Sequence, residues 1–175
     1  MNARDHERIT REIAGDCGFP AERIPELCAA VRAPDTERDA RGRKVFRDKL
    51  YHTKTCPLCD LRRATAERRL AQAAEQWRLG REHDAVRSLG AGLHALQDLL
   101  AHGGMVKSVL LHRKRGAWAW LAPMQRALGL RDIDDFDAMP AILQQTVREQ
   151  TADCLGRFLQ LIRQESAKQG VERKD

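Results

Sequence analysis

Residues 82 to 102 constrain the fold more than any other part of the chain. Within "EHDAVRSLGAGLHALQDLLAH" the apolar residues Val86, Leu89, Leu93, Leu96 and Leu100 recur at alternating steps of three and four, the repeat of one face of an α-helix. Gly103 and Gly104 follow at once, and glycine just past the last periodic residue is a helix stop. Such a stripe has to be buried against other elements. No segment shows a convincing two-residue alternation of β-branched residues, so those elements are expected to be helices too.

The remaining segments agree. "DHERITREIAGDCG" reads as a first helix, with Ile9 and Ile13 one turn apart and Gly15 and Gly18 near its end. "PAERIPELCAAVRAPD" reads as a second, opening with Pro20 and stopping before Pro34. The charged segment "TERDARGRKVFRDKLYHTKT" is expected to be a long connection with some local helix, a class of segment that is often functional. A long helix is expected from Pro57 to Leu79, punctuated by Gly80, then the striped helix from Glu82 to His102. A shorter helix is expected around "AWAWLAPMQRALG", an acidic connector at "RDIDDFDAMP", and a last long helix over "AILQQTVREQTADCLGRFLQLIRQE". The expectation is an all-α, single-domain helical bundle over residues 1–168, with a frayed tail at 169–175.

Composition narrows the class. With 42% hydrophobic, 32% charged and 5% aromatic residues, the core must rest on aliphatic side chains beneath solvated faces. The formal charge of +6 favours anionic partners without defining a site. No apolar run approaches the ~20 residues needed to cross a bilayer, and "MNARDHERIT" lacks the apolar stretch of a signal peptide. Five cysteines fit a reducing compartment better than a disulfide framework. The expected location is therefore cytoplasmic, with export by another route left open.

Opposite the leucine stripe, the same helix carries His94, Asp98 and His102 at a spacing of four. Each helical residue advances about 100°, so the row spans an arc of about 80° over two turns. His94 and Asp98 can reach one metal together, and His102 a second metal or its surroundings. Imidazole nitrogen and carboxylate oxygen are zinc donors. The small Ala91 and Ala95 lie near the row, as in a helix that floors a cleft. The alternative is a wet polar face with no ligand role.

"LHALQDLLAHG" resembles the "LHxxQDxxxH" helix of the superfamily of zinc-dependent phospholipases C and P1-type single-strand nucleases. "DHERIT", with His6, is similar to that family's "tHxxIt" opening. "AAVRAPDTERDARG" lies where the family has a ligand Asp, best matched by Asp35, with Asp39 as rival. "LYHTKT" resembles its "yHF" segment, carrying His52. The resemblance covers residues 6 to 102, and each short piece gains weight from the order of the others. It implies a helical bundle in which separated segments converge on two or three zinc ions. Asp35, His52, His94 and Asp98 would surround one ion, Asp98 would bridge toward another held partly by His6, and His102 would serve the neighbouring position. In some members the amino terminus supplies ligands; here Met1 and four further residues precede His6. The family commonly completes its most exposed position with an "HxxxE" pair. The only histidine after His102 is His112, and Gly116 stands four residues beyond it. A carboxylate such as Asp134 or Asp135 is the remaining partner for His112.

The resemblance implies metal-dependent hydrolysis of a phosphodiester, with a phospholipid as the default substrate, nucleic acid as competitor and no specific protein partner. Zinc acidifies water and polarises phosphoryl oxygens, and by the same resemblance Asp35 is the candidate general base. Each residue has a plainer reading: Asp35 as a cap after Pro34, His52 as a loop histidine, His6 as a surface residue near the chain start. A non-catalytic metal-binding accessory protein and a metal-free basic nucleic-acid-binding protein are the alternatives. Cys56 and Cys59 in "CPLC" form half a zinc framework or a redox pair, or are ordinary thiols. The basic clusters "RGRKVFRDK" and "HRKRG" lack the interleaved aromatics of a single-strand platform. Trp118 and Trp120 read as core residues or as a lipid-interface pair.

Overall fold

The computed structural model describes residues 1–46, 48–52, 60–101, 136, 137 and 139–172. These residues are mostly helical: α1 (Ala3–Asp16), a single 3-10 turn (Ala21–Arg23), α2 (Ile24–Thr36), α3 (Asp48–Tyr51), α4 (Leu61–Arg78), α5 (Glu82–Ala101) and α6 (Ala141–Glu172). Among the described residues there is no strand, only an isolated bridge between Arg38 and Lys44. No described helix is long and apolar enough to cross a membrane.

Local chemistry sets the helix ends. The Asn2 side chain caps α1 by accepting from the backbone N–H groups of Arg4 and Asp5, both at 3.0 Å. Asp60 caps α4 through the N–H of Arg62 at 3.1 Å, so this helix begins at Leu61 rather than at Pro57. Gly80, at φ 72°, takes the left-handed turn that ends it. α2 runs through Pro34 to Thr36 instead of stopping before the proline. Pro34 removes one i→i−4 hydrogen bond from that last turn, and the carbonyls of Val31 and Pro34 accept from His94 and His52. α6 continues past the expected end at Glu165 to Glu172, running through Gly170.

α5 is the axis of the fold, packed against α2, α3, α4 and α6, while α1 lies across α2 and α6. Two glycines permit this. A Cβ on Gly90 would lie 2.4 Å from the Cβ of Ala30 on α2, and one on Gly92 would lie 2.9 Å from the Cβ of Arg69 on α4. The backbone of α5 therefore touches neighbours on both flanks. Every residue from Ser88 to Asp98 is buried, so this stretch of α5 is dry all round rather than wet on the side of His94 and Asp98. Leu89, Leu93 and Leu96 join Ile9, Leu27, Leu70, Leu155 and Phe158 in the aliphatic core.

Candidate metal centre

The polar flank of α5 meets α1, the end of α2 and the end of α3. His94 and His6 are fully buried, Asp98 is 2% exposed and His52, just after α3, is 8% exposed. The wet-surface reading therefore does not describe them. The His6 and His94 rings stack with centroids 4.1 Å apart, and the His52 ring stands edge-on to His94 at 4.7 Å.

The hydrogen bonds fix which nitrogen of each ring faces the cluster. Nδ1 of His94 donates to the carbonyl of Val31 at 2.9 Å. Burial, followed by the neighbouring His6, lowers the pKa of His94 to about 4, so the ring is neutral and Nε2 carries a lone pair. Gln97 donates its amide N–H groups to the hydroxyls of Thr10 and Thr151, at 3.1 and 3.2 Å. Its oxygen therefore accepts from Nδ1 of His6, at 2.7 Å, and that ring turns Nε2 inward. That atom lies 3.2 Å from Oδ1 of Asp98 but makes no hydrogen bond, since proximity without alignment does not make one. His52 donates from Nε2 to the carbonyl of Pro34 at 3.2 Å. Its Nδ1 sits 3.0 Å from both Oδ2 of Asp98 and Nε2 of His94. Burial opposes charge on His52, but the Asp98 hydrogen bond and the Asp98 and Asp35 carboxylates raise its pKa above the ordinary value.

Asp98 is the hub. Oδ1 accepts from the Met1 amino group at 3.1 Å, and Oδ2 lies 3.6 Å from Nε2 of His94. Asp35 stands at the margin, its Oδ1 3.8 Å from Nδ1 of His52 and its Oδ2 buried without a hydrogen bond. Two donor groups result: His6, His94 and Asp98, and Asp35, His52 and His94, each set within 4.8 Å. The residues fit a transition-metal ion. Imidazoles whose far nitrogens donate to a carbonyl or amide oxygen, with near nitrogens aimed inward, have the arrangement that orients histidine ligands. The unpaired Nε2 of His6 is a buried polar atom that such an ion would satisfy.

Asp39 is not part of this group. Its carboxylate closes a turn, accepting from the N–H groups of Arg41 and Arg43 at 2.9 Å each and from the Arg43 side chain at 2.8 Å. His102, His112, Cys56 and Cys59 lie outside the described residues, as do Trp118, Trp120, Asp134 and Asp135. Gln97, Arg62 and the Met1 amine carry much of the geometry and were not expected. Gln97 had a signal, its place beside Asp98. Arg62 had none, because an arginine in a helix is ordinarily a surface residue.

No protein-family model, no curated protein and no solved structure matches the chain.

Proposed function

We propose that the chain is a zinc-dependent phosphodiester hydrolase whose metal is held by His6, His52, His94 and Asp98, with Asp35 at the margin. One observation carries the reading: inward-facing nitrogens from three separate segments meet at a single carboxylate while their outward nitrogens are already committed. The resemblance of residues 6 to 102 to the phospholipase C and nuclease superfamily supports the same choice of metal and reaction. Zinc, when bound, supplies an acidified water and a polarised phosphoryl oxygen. The chain's own groups do the rest. Val31, Pro34 and Gln97 hold the imidazoles in orientation. Asp98 keeps negative charge at the centre. Asp35, with an oxygen free of hydrogen bonds, receives the proton released at the margin of the site. A phospholipid is the substrate by resemblance, with nucleic acid as competitor.

Burial favours a second reading. Closed sites with no exposed donor are structural, whereas catalytic sites keep an open position, and the Asp98 side chain is only 3% exposed. The two separate on turnover. Zinc-loaded protein is assayed on bis(p-nitrophenyl) phosphate, phosphatidylcholine vesicles and single-stranded DNA, beside Asp35→Asn. The hydrolase reading expects turnover on at least one substrate and a loss of about 10²–10⁴-fold in the variant with zinc retained. Bound zinc without turnover on any of the three would leave the structural metal.

A further inference from the structure

Arg62 is completely buried in the first turn of α4. A guanidinium removed from water is costly unless paired and fully hydrogen-bonded, and Asp60 supplies the pairing. Its Oδ1 accepts from Nε of Arg62 at 3.0 Å, and its Oδ2 accepts from Nη2 at 2.7 Å. Asp60 thus accounts for one edge of the fork. Nη1 points elsewhere, donating to the backbone carbonyl of Asp98 at 2.7 Å and, more weakly, to that of His52 at 3.4 Å. These are the two residues whose side chains meet at 3.0 Å in the cluster, and they arrive from different elements.

We infer that Arg62 is a positioning residue of the metal centre, tying the main chains of His52 and Asp98 together so that their side chains converge. The inference rests on the metal-centre reading above. A rigid planar fork suits this task because it can engage a carboxylate along one edge and carbonyls along another, which a lysine ammonium cannot do. A plain strut between helices would affect stability alone. A positioning residue also sets the geometry of the donors, and this separates the two roles.

The test uses the full chain with cobalt(II) in place of zinc. Affinity is measured by competition with a chelating dye and geometry by the visible absorption of the bound ion. Arg62→Met and Arg62→Lys are compared with Leu70→Ala, a truncation in the aliphatic core about two turns along the same helix. Both arginine variants are expected to bind cobalt(II) about 10–100-fold more weakly, the range for groups that orient ligands, and to shift its absorption bands. Leu70→Ala is expected to lower the unfolding midpoint with affinity and bands unchanged. Should Arg62→Met fail to fold, Arg62→Lys, which keeps the charge, carries the same comparison. Unchanged affinity and bands in a folded arginine variant overturn the inference, as does an equal change in Leu70→Ala. If the native protein takes up no cobalt(II) or zinc at all, the metal centre falls and Arg62 with it.

Discussion

The two flanks of α5 are equally dry and oppositely built. On one, Leu89, Leu93 and Leu96 pack among aliphatic side chains from α1, α2, α4 and α6. On the other, His94, Gln97 and Asp98 are as deeply buried but meet histidines, threonines and backbone carbonyls. Apolar burial gains free energy with every contact and needs no direction. Polar burial only offsets its own desolvation, and does so by placing each donor against an acceptor. The leucine flank therefore supplies stability, and the histidine flank spends some of it to hold a fixed geometry.

Truncation on the leucine flank sharpens that contrast most. Leu93→Ala is expected to cost about 2–5 kcal/mol, the range for emptying a buried leucine site, as read from urea unfolding. Its folded fraction should bind zinc as the native chain does. A variant that lost zinc affinity in proportion to stability would show the flanks to be one unit.

Acid acts on the other flank. In the metal-free protein His94 has a pKa of about 4 against an ordinary value of 6.5. As pH falls below 6.5 the unfolded chain takes up the proton first, so stability drops through the window from 6.5 to 4. By pH 5 the loss is about 2 kcal/mol. His52, raised above 6.5, works the other way: its contribution is complete below 6.5 and fades as pH rises through its folded value. The unfolding free energy of chelated protein should therefore fall more steeply from pH 6.5 to 5 for the native chain than for His94→Gln. Equal slopes would place the acid sensitivity elsewhere.

The smallest effect belongs to the solvated surface. Arg157 pairs with Glu67 at 2.7 Å across α6 and α4, but both are about half exposed. Arg157→Ala is expected to shift stability by less than about 1 kcal/mol. A larger loss would mean that α6 is held by charge rather than by its apolar contacts with α5.

What the sequence made legible follows the same division. The three-and-four spacing of leucines specifies α5 and its core face without outside help, since apolar packing leaves a periodic trace. His94 and Asp98 were visible as a pair because one helix carries both. Asp35 and His52 come from an α2 end and a long connection, and no spacing rule links them to α5; only the resemblance grouped them. His6 had a local signal of its own, on the same face as Ile9 and Ile13, which a surface reading of the chain start overlooks. The passage of α2 through Pro34 was not legible, because the residue before a proline is ordinarily pushed out of the helical region. Arg62 was hidden because its partners Asp60, His52 and Asp98 come together only in the fold.

The most direct test is the zinc content of the untagged protein after zinc loading and desalting, by elemental analysis, beside the His94→Ala/Asp98→Ala double variant. The account predicts zinc in stoichiometric or greater amount in the native chain and its loss in the variant. A native chain that retains no zinc, or a variant that retains as much, would contradict it.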